Sequence, residues 1–311
     1  MSERPEAVTI AEEAASPLTD ETEKETRGQA IWREVKGLFW VLLAVLGFHS
    51  FIAKPFYIPS ESMMPNLLTG DRLVVTKYPY GWSYVSPTIP NPVAMVGNLF
   101  GGSQPWSITL PFTNGRVFGA LPERGDVVIV TPPGGNQDYI KRVVGVPGDI
   151  IEVRGGRLII NGRPVKVEQR PPAMIPVDAN SPCGEMNFFF NRQVQTEQGR
   201  FCRLPIVRET LPNGVAYDTV DDGPSTGDDY GPERVPAGHV FLMGDNRDHS
   251  ADSRFSVADQ GLGGPVPWEN IGGRAEFVTF SLDGTTSLNP LTWFPAFRDG
   301  RAGSSLRPGK E

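Results

Sequence analysis

Short apolar runs separated by turn-forming dipeptides are the feature that most limits how this chain can fold. Four such runs adjoin a Gly-Asp pair, at residues 72–76, 127–130, 150–153 and 240–243. Runs of this length are typical of β-strands, whereas a helix needs ten or more residues with a 3.6-residue period. The sequence therefore predicts a mostly β fold, built from antiparallel strands and tight turns.

The strongest hairpin signal in the chain is Asn161-Gly162, which lies between the apolar run 158–160 and residues 163–167. Asn and Gly both tolerate the positive φ angles of a type I′ turn, which suits the twist of two antiparallel strands. We therefore expect two paired strands that meet at this dipeptide.

An uncharged apolar run at 37–53 precedes the strand region. Its 17 residues are at the short end of the roughly 17–25 that a transmembrane helix needs, and Lys36 and Lys54 flank it as anchors. We predict one transmembrane helix over residues 34–54. A buried core helix is the alternative, and a cleaved signal peptide fits less well because Phe51 stands where a small residue is needed.

Basic residues predict the orientation of this span. Lys24, Arg27, Arg33 and Lys36 precede it, whereas Lys54 and then Arg72 are the first basic residues that follow. Because basic residues concentrate on the cytoplasmic side, the N-terminal tail is expected inside and the bulk of the chain outside. The lipid bilayer is thus one predicted partner.

The stretch 170–233 differs from the rest, with Pro171-Pro172, both cysteines and the acidic run 218–222. We interpret it as part of a smaller β-rich cap inserted into a β core. The predicted division is a disordered cytoplasmic tail at 1–33, the transmembrane helix at 34–54, a core at 55–153 and 236–297, the cap at 154–235, and a flexible C-terminal tail at 298–311.

The charge balance and the cysteine count exclude other classes of protein. The 311 residues carry 29 Lys and Arg against 36 Asp and Glu, a net charge of −7, which disfavours nucleic-acid binding. Cys183, Cys202 and three histidines are too few for a zinc cage, and we predict no metal and no cofactor. The two cysteines could form a disulfide outside the cytoplasm or remain two buried thiols.

Aromatic residues outside the span are candidates either for an apolar rim that faces the membrane or for the core. These are Trp82, Tyr84, Trp106, Phe112, Trp293, Phe294 and Phe297.

Two serines lie between two prolines directly after the predicted span, within residues 56–65. A serine hydroxyl is inert near neutral pH unless a neighbouring base removes its proton. His49 lies inside the span and His239 begins a strand. Only His249, beside Asp248, remains for a Ser-His-Asp triad.

Lys141 is the better candidate for the base. Period-two alternation places it between Tyr139 and Val143 on one face of a strand. An amine among apolar groups loses hydration, so its pKa falls and a neutral base becomes available. The alternative is a lysine whose stem packs while its amine reaches water.

Three ordered blocks of this sequence resemble bacterial type I signal peptidases, also called leader peptidases. They are Ile-Pro-Ser-Glu-Ser-Met-Met-Pro at 58–65, Tyr-Ile-Lys-Arg-Val-Val-Gly-Val-Pro-Gly-Asp at 139–149 and Gly-Asp-Asn-Arg-Asp-His-Ser-Ala-Asp-Ser-Arg at 244–254. Together with Gly-Asp-Val-Val-Ile-Val at 125–130, they extend over most of residues 56–254.

The resemblance implies a Ser/Lys dyad, with Ser62 as the nucleophile and Lys141 as the general base. It also implies that Ser60 completes an oxyanion hole and that Ser250 orients the lysine amine. The other implied positions are a structural charged cluster, Arg142, Asp245, Asp252 and Arg254, and apolar substrate subsites, Phe56, Ile58 and Ile140.

The same resemblance implies a membrane-anchored serine endopeptidase that removes N-terminal signal peptides from secreted preproteins after a small residue, through an acyl-enzyme and without a metal. The implied location is the cytoplasmic (inner) membrane, with the catalytic domain on the outer, periplasmic side. Glu61 stands where the family often has a small residue, and Asn66 where it commonly has threonine. These departures put the detailed geometry of the site in question, but not the class of enzyme.

Two other functions remain open. Residues 223–227 match the G-x-S-x-G pattern of another hydrolase class, but that motif needs a strand-to-helix elbow, and this copy lies in an acidic, proline-containing turn. A non-catalytic membrane-anchored β module that binds secreted chains by its sheet edges would require neither Ser62 nor Lys141.

Overall fold

The computed structural model describes residues 26–87, 89–90, 107–108, 115–135, 137–184, 192–307 and 309–310. Most of the predicted N-terminal tail, together with Trp106 and Phe112, lies outside these ranges.

The described residues form one α-helix, α1 (Arg27–Phe51), and eighteen strands, so the mostly β prediction is confirmed. The strands are β1 (Ala53–Tyr57), β2 (Asp71–Thr76), β3 (Ile89–Pro90), β4 (Ser107–Ile108), β5 (Val127–Val130), β6 (Tyr139–Gly145), β7 (Ile150–Arg154), β8 (Arg157–Ile160), β9 (Arg163–Pro164), β10 (Lys166–Pro176), β11 (Gln193–Thr196), β12 (Gly199–Thr210), β13 (Val215–Val220), β14 (Tyr230–Arg234), β15 (His239–Met243), β16 (Val266–Pro267), β17 (Ile271–Ser281) and β18 (Gly309–Lys310).

Antiparallel pairing joins the strands within each sheet. A seven-stranded sheet has the order β1-β2-β17-β5-β6-β15-β16, a four-stranded sheet β14-β7-β8-β9, and a third sheet β10-β12-β13-β18 with β11 also on β12. Apart from Ala53 and Lys54, which were predicted in the helix and begin β1, the strands of the seven-stranded sheet lie in the two predicted core segments. The predicted boundary near residue 154 falls in β7, which pairs with β8 and β14, and the division into core and cap stays a prediction.

Two of the strand patterns predicted from the sequence are present in the structure. Asn161 and Gly162 have φ angles of 54° and 74° and join β8 to β9, which confirms the hairpin. In β6, Val143 packs in one core cluster, whereas Ile140 packs in another beside Ile58 and Met63. Alternate residues of β6 therefore face opposite sides of the sheet, as predicted.

The chain divides into two compact units, Met1–Leu43 and Ala44–Glu311. The predicted helix is present as α1, 25 residues long, and most of its large apolar side chains are exposed. Among the residues that the structure describes, no helix combines the length and apolar content that crossing a membrane requires.

Cys183 and Cys202 form a disulfide, with their Cα atoms 5.6 Å apart. This settles the alternative that the sequence left open. The disulfide packs in a core cluster with Met64 and Leu68, which follow the two candidate serines. Cys183 and Cys202 thus cover one side of the chain just after Ser62.

The described residues of the predicted C-terminal tail at 298–311 make specific contacts with the core, and the flexibility of this segment stays a prediction. Arg301 Nη2 donates to the carbonyl oxygen of Asn66 at 3.0 Å, and its guanidinium pairs with Asp71, which is 0% exposed. Leu306 packs in a core cluster. Polar composition suggested a tail, but an arginine that neutralises a buried carboxylate holds this segment in place.

The aromatic residues near the C-terminus are not core residues. Trp293 is 50%, Phe294 86% and Phe297 46% exposed, whereas Trp82 and Tyr84 are partly buried. The core alternative is therefore wrong for these three, and contact with lipid stays a prediction.

Replacing Arg301 tests whether the C-terminal segment holds the core. Arg301→Ala leaves the Asp71 carboxylate buried without its partner, so we expect a loss of about 3–5 kcal/mol in the free energy of unfolding, measured by urea denaturation. The control is Arg307→Ala. The Arg307 side chain is 60% exposed, and its partner Glu276 keeps Arg274, so its removal should cost less than about 1 kcal/mol. Equal losses in both variants would contradict the account.

Candidate active site

The two candidate reactive groups meet in the folded chain. Ser62 lies in the turn region between β1 and β2, and Lys141 lies on β6, where its Nζ atom is 3.0 Å from Ser62 Oγ. Ile58 and Met63, on either side of the serine in sequence, are fully buried in one core cluster. The Ser62 carbonyl oxygen accepts a hydrogen bond from Asn246 N at 3.1 Å. Packing and hydrogen bonding thus fix the backbone that presents the hydroxyl.

The amine of Lys141 is buried. The residue is 4% exposed, and its Nζ donates a second hydrogen bond to the carbonyl oxygen of Ile140 at 3.0 Å. Burial lowers the pKa of Lys141 to about 8, although Asp252 and Asp245 act to raise it. The alternative of an amine that reaches bulk water is therefore wrong.

Ser60 and Ser250 lie beside this pair with different contacts. Ser60 Oγ is 3.4 Å from Ser62 Oγ. Ser250 Oγ is buried and has no hydrogen-bond partner among the described residues. A Cβ atom at Gly244 would lie 2.2 Å from Ser250 Oγ and 2.5 Å from the Ser62 carbonyl oxygen. Glycine at 244 therefore allows Ser250 to approach the Ser62 backbone.

Arg142, next to the candidate base, forms a buried bidentate pair with Asp245. Its Nε atom is 2.7 Å from Oδ1 and its Nη2 atom 2.6 Å from Oδ2. The guanidinium also donates to the Gly125 carbonyl oxygen at 2.8 Å and lies 4.3 Å from the centre of the Tyr217 ring. This pair joins β6 to the segment that follows β15.

Asp252 and Arg254 form a second buried pair, with two contacts of 2.9 Å. Asp252 Oδ2 also accepts from Gly244 N at 3.0 Å. Burial would raise the pKa of Asp252, but Arg254 and the backbone donors outweigh it and lower that pKa below its ordinary value. Asp252 therefore stays ionised near the lysine without being a base itself.

Three further contacts, two of Asn66 and one of Arg247, were not foreseen from the sequence. Asn66 Nδ2 donates to Asp245 Oδ2 at 2.8 Å and to the Asp218 carbonyl oxygen at 2.7 Å. Arg247 pairs with Glu209 at 2.7 Å, with both side chains buried. In the sequence, Asn66 was noted only because it departs from the family motif. Its side-chain amide has two donor hydrogens, and each one makes one of the two Asn66 contacts. Glu209 lies on a distant strand, so no local signal indicated it.

A cavity of about 300 Å³ opens beside Ser62. The predicted subsite residues Phe56, Ile58 and Ile140 all line it, together with Ser60 and Lys141, and its wall is therefore partly apolar and partly reactive.

The rival nucleophiles and bases are arranged differently. His249 lines the same cavity, and burial lowers its pKa despite the nearby Asp248. In the described structure, however, the Ser62 hydroxyl is hydrogen-bonded to Lys141 Nζ and Ser60 Oγ. Ser225, in the G-x-S-x-G match, donates to Asp228 in the loop between β13 and β14, so the element that follows this serine is a strand.

Lys77 is a second buried amine and provides a contrast. Burial lowers its pKa to about 8, assisted by Lys54 and opposed by Asp138. Its Nζ hydrogen bond goes to the backbone carbonyl of Ser86 rather than to a hydroxyl. A lowered lysine pKa thus occurs twice among the described residues, but only Lys141 has the reactive geometry.

The family model and the similar proteins that comparison found point to the same family. The family described as "Signal peptidase, peptidase S26" matches residues 31–280. The protein named signal peptidase I of Rickettsia canadensis (strain McKiel) is 32% identical over 270 residues, 84% of this chain and 82% of that protein. Its counterpart in Rickettsia typhi is 31% identical over 274 residues, 86% of this chain and 84% of that protein. A crystal structure of a signal peptidase I from Enterococcus faecalis V583 is 21% identical, covering 49% of this chain and 95% of its own, with a TM-score of 0.24, too low to bear on the fold.

Proposed function

We propose, from the premise that this chain belongs to the signal peptidase family, peptidase S26, that it is a serine endopeptidase which removes N-terminal signal peptides from secreted preproteins. The observation that carries this proposal is the buried Lys141 amine 3.0 Å from the Ser62 hydroxyl. Proton removal is what a serine needs to become a nucleophile, and a neutral amine at this distance can perform it.

The reaction proceeds in two halves. Neutral Lys141 takes the proton of Ser62 as Oγ attacks the carbonyl carbon of the scissile bond, and the protonated amine then gives that proton to the departing nitrogen. The signal peptide remains as an ester on Ser62. Lys141 next removes a proton from water, which attacks the ester and releases the second product with Ser62 reprotonated.

Ser60 stabilises the charge that develops on the substrate oxygen. Its hydroxyl lies 3.4 Å from Ser62 Oγ, so the Ser60 Oγ–H and the Ser62 backbone N–H can both point at one oxyanion. A single donor of this kind contributes about 3–4 kcal/mol to transition-state stabilisation in other acyl-transfer enzymes.

The apolar part of the cavity selects small side chains before the scissile bond. Phe56, Ile58 and Ile140 line it, and Ile58 and Ile140 are themselves held in the core. Rigid aliphatic walls favour small apolar side chains such as alanine, consistent with cleavage after an Ala-x-Ala type sequence.

The charged pairs hold the dyad together and do not react. Arg142 with Asp245 and Asp252 with Arg254 are buried and bidentate, and Asp252 also accepts from Gly244 N, which together fix Gly244 and Asp245. Ser250, whose buried hydroxyl has no hydrogen-bond partner within the described part of the chain, is assigned the role of orienting the Lys141 amine.

Helix α1 is assigned the role of a membrane anchor, with its N-terminal side in the cytoplasm and the β unit on the outer, periplasmic side. The support is its uncharged run at 37–53, its exposed apolar side chains and the excess of basic residues before it. A preprotein held in the same bilayer would reach Ser62 at a raised effective concentration.

Substitution of the two reactive residues tests the proposal. Ser62→Ala and Lys141→Ala should each reduce cleavage of a purified preprotein by about a thousandfold or more, because each removes one half of the proton transfer. The matched controls are Ser225→Ala and Lys77→Met, which remove a serine and a buried lysine elsewhere. Near-normal cleavage by either dyad variant, with its fold retained by circular dichroism, would favour a non-catalytic binding module.

The pH dependence of kcat/KM provides a separate test. The pKa of Lys141 is lowered to about 8, so the amine is protonated below that pH and the neutral base is the major form above it. We expect kcat/KM to fall about tenfold per unit below pH 8 and to level off above it. Lys77 has a similar pKa but bonds the Ser86 carbonyl oxygen instead of Ser62. We therefore expect Lys77→Met to keep the wild-type pH profile. A flat profile from pH 6 to 9, or loss of the acid limb in Lys77→Met, would count against Lys141 as the base.

A further inference from the structure

A second depression, of about 420 Å³, lies next to the cavity that contains the dyad. Pro59, Ser60 and His249 line both, so these residues form the boundary between them. The second depression is also lined by Glu61 and Asn180. It is therefore polar where the first is partly apolar.

A substrate chain bound at Ser62 must extend in both directions from the scissile bond. Under the proposed function, on which this inference rests, the apolar cavity takes the residues before that bond. The residues after it then leave on another side of Ser62, and the depression beyond Ser60 and His249 is continuous with the site. We propose that this depression binds the first residues of the mature protein and favours basic side chains there through Glu61.

Glu61 is presented from a fixed backbone. Its carbonyl oxygen accepts hydrogen bonds from Asn246 Nδ2 at 3.2 Å and from Met64 N at 3.0 Å. The residue lies between Ser60 and Ser62 and lines the depression, so its side chain starts close to the scissile bond without being part of the dyad. Such a position affects the choice of substrate more directly than it affects the chemistry.

Two arginines close to the depression are each paired with a carboxylate. Arg298, which like Asn180 lies beside Gly70, is neutralised by both oxygens of Asp178 at 2.8 Å. On the side of His249, Asp222 is paired with Arg192, as the 2.7 Å hydrogen bond between them shows. 

Asp248 adds a further carboxylate, which acts on His249 and accepts from the Asp222 backbone N–H. Burial lowers the pKa of His249, which keeps the imidazole neutral near pH 7. Among the described residues that surround the depression, carboxylates therefore exceed cations, and the field attracts a lysine, an arginine or the new N-terminal amine.

The expected effect is a preference, because the depression is open to solvent. An ion pair in partial contact with water changes binding by a modest amount, here about two- to fivefold in kcat/KM between a lysine and a glutamate in the substrate. The ratio should decrease at higher ionic strength, since salt screens exposed charges.

The test uses one preprotein with Lys, Gln or Glu placed in turn at the first, second or third mature position. kcat/KM is measured for the full chain in detergent, for the wild type, for Glu61→Gln and for the control Glu197→Gln. Glu197 is exposed in the turn between β11 and β12 and lines neither the cavity nor the second depression. The control therefore makes the same charge change away from the substrate. The readout at each position is the kcat/KM of the Lys substrate divided by that of the Glu substrate. Because both values come from the same enzyme sample, a loss of folded enzyme cancels in this ratio.

We expect a ratio of about two to five at one or more positions in the wild type and in Glu197→Gln, and a ratio near one in Glu61→Gln. Equal cleavage of all three substrates by the wild type, or a preference that persists in Glu61→Gln, overturns the inference while leaving the peptidase proposal intact. Failure of the wild type to cleave any of the substrates overturns both.

Discussion

The contact between a buried amine and a hydroxyl is the constraint on which the rest of this structure depends. Lys141 Nζ and Ser62 Oγ lie 3.0 Å apart and come from two strand regions 79 residues apart in sequence. Neither side chain is reactive alone near neutral pH, because the lysine is normally protonated and the serine normally keeps its proton. Ser62 lies in the turn region between β1 and β2, Lys141 lies on β6, and all three strands belong to the seven-stranded sheet.

Burial and charge act in opposite directions on that amine. Loss of hydration lowers the pKa of Lys141, whereas Asp252 and Asp245 raise it, and burial has the larger effect. The two carboxylates are restrained because Arg254 and Arg142 are bound to them at hydrogen-bond distance. Without these arginines the carboxylates would hold the proton on the lysine, so the buried ion pairs help to keep the base neutral as well as to hold the loop.

Local patterns in the sequence predicted the parts of the site that depend on one strand or one turn. The alternation around Lys141 identified a strand, and Asn161-Gly162 identified a hairpin, because each is determined by neighbouring residues. The pairing of Arg301 with Asp71 spans 230 residues and could not be derived from a Gly- and Arg-rich segment that looks disordered. The hydrogen-bond partners of Asn66 could not be predicted either, because they lie 152 and 179 residues away in sequence. The three sequence blocks indicated the family, but their mutual distances required the fold.

The most direct measurement of the central claim is the titration of the Lys141 amine itself. With 13C-labelled lysine, the Cε resonance of Lys141 can be followed by NMR across pH 6–12, and Lys77→Met and Lys141→Arg distinguish the two buried lysines. The account predicts a midpoint near 8 for Lys141 in the folded protein. A midpoint at its ordinary value of 10.5 would mean that the amine is charged and hydrated, and would contradict its role as the base.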